Sequence, residues 1–370
     1  MSIIRNEVLK LFINGNTKFF DLYIPQKFDY QIHLISGAEH CLSELKYFRC
    51  DANINQNILI GLSSICKSIK KLRFDDIVQY NNNFGIVKLI KAQKNLRDVC
   101  FNCYANVREK SHCKILEESL IKNVNTIQYL KIEWTPTTRI LSYLVNLLSL
   151  DINLSSMNFS LTNIQPHYTN WGYLKNASLP NLKILRAQQV PSIILARLIE
   201  NTKGHLAEIS ICYEGVDNRK LIQVIYQNCA HLKYLKLSFI NADILELENL
   251  LMKCQYLNGL VINIFENNPD WDNLFKILAR SSPINLFKFK FSSFKTLKLE
   301  SLKSFFDNWK DRIPMLLQAN PYCFYYSLFI NKEQQQQLTN LVKKYIKKGI
   351  VKNYDLDWHI DEDFEWKNSD

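Results

Sequence analysis

Four soft metal ligands fall within fourteen residues of this chain: Cys100, Cys103, His112 and Cys113, in the stretch CFNCYANVREKSHC. A C-x-x-C pair is half of a common zinc ligand set. Strand alternation, however, would turn Phe101 and Cys103 one way and Cys100 the other. His112 and Cys113, being adjacent, would also chelate one ion awkwardly. Ordinary packing is therefore the expectation, with no metal bound. Little other chemistry is written in the chain. Its nine glycines form no G-x-G-x-x-G or G-x-x-x-x-G-K-[ST] loop, so no backbone cradle for phosphates is expected. H-E-x-x-H and G-x-S-x-G are absent. The histidines, His33, His40, His112, His167, His205, His231 and His359, are dispersed, and none pairs with a nucleophile. No catalytic residue and no cofactor is expected, and the chain reads as a non-enzyme.

The elements that carry these residues repeat. CAHLKYLKLSF, from Cys229, has close variants in CQYLNGLVINI from Cys254, CKSIKKLRFD from Cys66 and LPNLKILRA from Leu179. Aligned on one apolar anchor, eleven copies centre on Leu22, Phe48, Leu72, Val99, Leu130, Leu150, Leu185, Ile209, Leu235, Leu260 and Phe289. Successive anchors lie 26, 24, 27, 31, 20, 35, 24, 26, 25 and 29 residues apart, mostly within the range of leucine-rich repeats. An anchor and the residue two further on share one strand face. Between phrases the period lengthens to that of a helix: Ile58, Leu62, Ile65 and Cys66; Leu221, Ile222, Ile225 and Cys229; Leu247, Leu250, Leu251 and Cys254. Right-handed crossovers would place the strands in one parallel sheet with helices outside. No repeat can bury its apolar face alone, so stacking supplies the core. The expected fold is an α/β leucine-rich-repeat solenoid, a horseshoe with a parallel concave sheet and outer helices. About eleven repeats would occupy 1–293, a terminal helical region 294–350 and an acidic aromatic tail 351–370. Cys41, Cys66, Cys229 and Cys254 fit as small packing residues where helix meets strand.

The chain has 370 residues, 47% of them apolar and 22% charged, enough for a large core and too apolar for general disorder. No run of 18 apolar residues occurs, so no membrane span is expected. The N-terminal MSIIRNEVLKLFINGN carries Arg5, Glu7 and Lys10 and lacks a signal core. Cytoplasmic or nuclear placement follows, with the cysteines reduced. The sequons at Asn153, Asn158 and Asn176 are then chance matches.

Residues just after each anchor should point out from the sheet. They are Tyr23, Arg49, Arg73, Cys100, Lys131, Asp151, Arg186, Ser210, Lys236, Val261 and Lys290. Those just before add Lys71, Lys288, Tyr47, Tyr129 and Tyr234, with the acids Asp21, Asp98 and Glu208. The expected partner-binding face comprises Tyr47, Arg49, Lys71, Arg73, Tyr129, Lys131, Arg186, Tyr234, Lys236, Lys288 and Lys290. Such a ladder of cations and tyrosines would suit an acidic or phosphorylated protein. Net charge is +11, which makes nucleic acid the rival partner. Its densest run, VKKYIKKGIVK from Val342, reads instead as the solvated face of a helix burying Leu338, Leu341, Val342 and Ile346. The terminal DLDWHIDEDFEWKNSD holds seven acidic residues with Trp358, Phe364 and Trp366. It is expected to fold back on the basic repeat surface or to cap the last rung.

The cysteine-led phrases CAHLKYLKL and CQYLNGLVI resemble the cysteine-containing leucine-rich repeats of F-box proteins. LFKFKFSSFKTLKLESLKSFFDNWKDR, DLDWHIDEDFEW and AEHCLSELKYF resemble a fungal expansion of that F-box/leucine-rich-repeat family. The resemblance implies a substrate receptor in an SCF-type ubiquitin ligase, acting in ubiquitin-dependent degradation. In that family the repeats hold the target and an N-terminal helical F-box binds the ligase adaptor. Here the first anchor, Leu22, follows a single helix-like stretch, Glu7 to Ile13, so the adaptor is expected as a partner only if an F-box is supplied. The alternative is a leucine-rich-repeat scaffold unconnected to ubiquitin.

Overall fold

A computed structural model describes residues 2–77, 83–103, 110–154, 170–213, 218–264, 266, 268–293, 295, 297–321 and 332–355. The chain divides into two compact units, Met1–Leu182 and Lys183–Asp370. In both, parallel strands alternate with helices. The first unit carries β1 (Asp21–Ile24), β2 (Tyr47–Asp51), β3 (Lys71–Ile77), β4 (Asp98–Cys103), β5 (Tyr129–Ile132) and β6 (Ser149–Asn153). Its helices are α1 (Ser2–Phe12), α2 (Ala38–Leu42), α3 (Gln56–Ile65), α4 (Phe84–Ala92), α5 (Lys110–Ser119), α6 (Ile140–Tyr143) and α7 (Gly172–Lys175). The second unit carries β7 (Ile184–Gln188), β8 (Glu208–Cys212), β9 (Tyr234–Phe239), β10 (Gly259–Ile264), β11 (Lys288–Ser293), β12 (Met315–Pro321) and β13 (Val351–Asp355). Between these lie α8 (Ser192–Glu200), α9 (Arg219–Asn228), α10 (Ile244–Lys253), α11 (Trp271–Ser281), α12 (Leu299–Asp307) and α13 (Lys332–Lys347). Within each unit, neighbours in sequence are neighbours in the sheet. No described helix is long and apolar enough to cross a membrane.

The repeated phrase fixes the register. Leu22 pairs with Phe48, Phe48 with Leu72, Leu72 with Val99, Val99 with Leu130 and Leu130 with Leu150. In the second unit Leu185, Ile209, Leu235, Leu260 and Phe289 pair in the same successive way. A slip of one residue would turn these apolar groups to the opposite face. Each strand also hangs from its predecessor through a shared carbonyl. The amides of Lys70 and Lys71 both donate to Lys46 O, those of Arg97 and Asp98 to Lys70 O, and those of Lys233 and Tyr234 to Ala207 O. Ten of the eleven anchors are buried; Leu22, on the first strand, is half-buried.

Helices close against the strands where the phrase begins. Cys66, Cys229 and Cys254 are the C-terminal caps of α3, α9 and α10. Their amides donate to Leu62 O, Ile225 O and Leu250 O, each at 2.8 Å. Their side chains are fully buried, which only a small, weakly polar group permits at such a junction. At the other ends, Asn55 Oδ1 accepts from Asn57 N and Asp270 Oδ1 from Asn273 N, capping α3 and α11.

The stretch expected to be helical, 294–350, contains α12 and α13 but also β12 between them, which adds a twelfth strand. β13 follows on Val351–Asp355, inside the segment expected to be tail. Val342 is buried in α13 as expected, whereas Leu338, Leu341 and Ile346 are half-buried. Tyr345 is the second residue that α13 buries; its hydroxyl donates to Asp307 at 2.6 Å. The acidic segment 356–370, and with it the expected fold-back of the tail, lies outside the described residues.

Candidate functional site

In the first unit, the residues flanking each anchor form rows across the face of the sheet that the anchors turn away from. One row runs Asp21, Tyr47, Lys71, Asp98, Tyr129 and Ser149; the next runs Tyr23, Arg49, Arg73, Cys100, Lys131 and Asp151. Six expected site residues thus lie together: Tyr47, Arg49, Lys71, Arg73, Tyr129 and Lys131. Tyr23 joins them, with the Arg49 guanidinium 5.1 Å from its ring centre. Tyr23, Tyr47 and Tyr129 are 56%, 50% and 41% exposed, so their rings stand in solvent at three places along the face.

The cations are paired, which counting them alone does not reveal. Asp75 accepts from Arg49 Nε at 2.5 Å, Arg73 Nε at 2.9 Å and Asn102 Nδ2 at 2.6 Å. Burial alone would raise the Asp75 carboxyl, but the bonds from Asn102, Arg49 and Arg73 together hold it below its ordinary value. Lys71 meets Asp98 at 2.9 Å and Lys131 meets Glu133 at 3.2 Å. Glu133 also accepts from Cys103 N at 2.7 Å. Asp75 and Glu133 each stand three residues after an anchor, Leu72 and Leu130. Alternation puts that position on the outward face too, so the signal was the same period of two carried one step further. The outcome is a mosaic of preorganised ion pairs between exposed tyrosines.

The second unit differs. Arg186 is exposed and meets Glu208 at 3.3 Å. Tyr234 and Lys290, expected as exposed contact residues, are instead only 7% and 4% exposed. Lys236 and Lys288 are half-buried, and burial lowers the Lys288 ammonium from its ordinary value. Lys290 pairs in register with Val261 and Gln318, both buried as well.

Of the cysteine cluster, Cys100 lies on the outward row, with its thiol 3.4 Å from Asn102 Oδ1. Cys103 and Cys113 are buried, and residues 104–109 between them lie outside the described residues. No group of three or more metal-ligating side chains occurs among the described residues. Burial pushes the thiols of Cys66, Cys113, Cys229 and Cys254 up to about 12, far from the thiolate that reactivity needs.

One buried carboxylate does organise its surroundings. Glu117 on α5 accepts from Trp134 Nε1 at 2.8 Å, Thr137 N at 2.9 Å, Thr138 N at 2.7 Å and Thr138 Oγ1 at 2.5 Å. It pins the connection from β5 to α6. Every acceptor position is directed at the protein's own loop, which is a structural use of a carboxylate rather than a catalytic one.

No protein-family model matches the chain, and no curated protein does.

Proposed function

We propose that this chain is a non-catalytic protein-binding module and that the outward face of β1–β5 is its contact surface. The observation that carries the reading is three exposed tyrosines, Tyr23, Tyr47 and Tyr129, interleaved with Arg49 and Arg73 that Asp75 already holds in place. Tyrosine and arginine carry most of the energy at protein interfaces, and little side-chain entropy is lost when they are fixed beforehand. The described cations Arg49, Lys71, Arg73 and Lys131 stand among the carboxylates Asp21, Asp75, Asp98, Glu133 and Asp151. A fitting partner therefore brings mixed charge; an acidic or phosphorylated segment would have to take the two arginines from Asp75.

Placement in an SCF-type ubiquitin ligase is carried by the resemblance of the cysteine-led phrases and the tail segments to F-box proteins. The binding surface is the same if the chain is a ubiquitin-independent scaffold. Affinity capture from a eukaryotic lysate separates the two: ligase adaptor and cullin co-purify with a receptor, and neither does with a scaffold. Either way, proteins held by the wild-type chain should be lost from a variant with Tyr23, Tyr47 and Tyr129 changed to Ala. Identical captures would overturn the assignment of the face.

A further inference from the structure

The cations on the outward face of β1–β5 are paired, but those on one edge of the same unit are not. That edge is where helices end and strands begin. Lys46, Lys70 and Arg97 each stand one residue before a strand, β2, β3 and β4. They are direct neighbours, because Lys70 N donates to Lys46 O and Arg97 N to Lys70 O, each at 2.8 Å. At the usual strand spacing the row spans about 10 Å. Behind it, the helix ends and turns carry Lys67, Lys91, Lys94 and Lys122. Lys67 and Lys122 have a local use. Their ammonium groups donate to Ser63 O and Lys91 O, where the helix dipole also favours positive charge. The other five do not: among the described residues, the side chains of Lys46, Lys70, Lys91, Lys94 and Arg97 make no hydrogen bond or ion pair. Lys70, Lys91, Lys94 and Arg97 are exposed. Carboxylates nearby already face other lysines: Glu44 meets Lys18, Asp98 meets Lys71 and Glu118 meets Lys114. Like charges held within about one Debye length repel one another, so the patch is destabilising until an anionic surface covers it.

We infer that this edge docks on an anionic lipid surface, with its cations among the headgroups. Two features favour a bilayer over the other polyanion, nucleic acid. Six of the seven cations are lysines, point charges on flexible stems. Nucleic-acid recognition draws instead on the arginine fork and on aromatic platforms for the bases. Exposed large side chains also border the cations on both sides. Phe20 lies on one side and Ile121, Tyr143 and Val145 on the other. Phe20 O accepts from Lys46 N, so Phe20 continues the row of strand-entry residues. Ile121 adjoins Lys122, and Asn146, next to Val145, donates to Asn125 O at 2.9 Å, which holds the two turns together. Aliphatic groups such as Ile121 and Val145 gain nothing from a phosphate backbone. They gain from entering a headgroup layer, where burial adds to the attraction of the charges. The strands run away from this edge, so the outward face of β1–β5 stays clear of the bilayer. The inference goes beyond that binding face and does not depend on it.

The test is co-sedimentation of the full chain with vesicles of phosphatidylcholine containing about one-third phosphatidylserine. One variant carries Lys70→Glu, Lys91→Glu, Lys94→Glu and Arg97→Glu. A second carries Lys343→Glu, Lys344→Glu, Lys347→Glu and Lys352→Glu, the same change of net charge on the densest basic run of the sequence. Each cation near such a surface is worth about fivefold in partitioning. The edge variant should therefore bind at least about a hundredfold more weakly. The second should stay within about threefold of wild type, since charges away from the contact are screened. Vesicles of phosphatidylcholine alone should bind none of the three. Equal loss by both variants overturns the inference, as does an edge variant that melts and binds as the wild type does. So does a wild-type chain that ignores the serine-containing vesicles; if it then holds a single-stranded RNA, the edge belongs to nucleic acid. Labelling needs no variant: vesicles should slow the reaction of Lys70, Lys91 and Lys94 with an amine reagent several-fold and leave Lys343 and Lys344 unchanged. Unchanged rates at all five, with the chain sedimenting on the vesicles, overturn it equally.

Discussion

Replacing Glu117 by Ala tests whether the loop between β5 and α6 is held as described. The side chain is 1% exposed and accepts from the Trp134 indole, the Thr137 and Thr138 amides and the Thr138 hydroxyl. Without it, the indole N–H loses its acceptor where Trp134 is only 2% exposed, at about 1–3 kcal/mol. Thr137 and Thr138 are half-buried, so their amides can regain water, and each loses about 1 kcal/mol. Relief of the carboxylate's own burial offsets part of this, leaving about 2–4 kcal/mol of destabilisation. The assay is urea unfolding followed by tryptophan fluorescence, with the exposed neighbour Glu118→Ala as control, expected within about 0.5 kcal/mol of wild type. At a slope of about 2 kcal/mol per molar urea, the Glu117→Ala midpoint should fall by roughly 1–2 M. Indistinguishable midpoints for the two variants would refute the reasoning. The pH dependence adds a second check. Burial raises the Glu117 carboxyl above its ordinary 4.5, against the pull of its hydrogen bonds. Between the unfolded and folded values the native chain therefore binds more protons, and stability falls as pH rises through that window. Glu117→Gln removes this titration, so the gap between wild type and Glu117→Gln should widen as pH falls through the raised native value.

Two other outcomes follow from packing. Gly61 lies inside α3, where Ala normally stabilises by about 1 kcal/mol, yet an added Cβ would meet the His33 ring at 2.1 Å. Gly61→Ala should therefore lower the melting temperature, and Gly61→Ala with His33→Ala should recover part of the loss; a stabilised single variant would contradict the contact. With their thiols near 12 and fully buried, Cys66, Cys229 and Cys254 should stay unmodified by a disulfide reagent at pH 8 until the chain is unfolded, as mass spectrometry would show.

The fold was legible wherever one residue did one job. Leu72, Val99, Leu235 and Leu260 are anchors because a short strand with one buried face needs a leucine-sized group there, and their spacing alone placed nine strand pairings in register. β12 was not legible because Pro314 stands where the phrase, three residues before its anchor, opens with a large apolar residue in the eleven copies read. β13 buries only Val351, too little to mark a strand. On the outward face, the identity of Arg49 and Arg73 could be read, but their state could not. Asp75 bonds Arg49 across 26 residues of sequence, and such pairing depends on register. The burial of Tyr234 and Lys290 was hidden for a related reason: alternation says which face a side chain takes, not what lies against that face.

The central claim is that the outward face of β1–β5 binds a protein. It is tested most directly by comparing captures from one lysate with three baits. These are the wild type, Tyr23→Ala with Tyr47→Ala and Tyr129→Ala, and a control with the exposed Lys91 and Lys94, off the sheet, changed to Glu. Losing three aromatic anchors should weaken binding at least tenfold, since one such residue is often worth about 2 kcal/mol. Proteins retained by wild type and control but missing from the tyrosine variant are the predicted result; the same proteins, in the same amounts, on all three baits would contradict it.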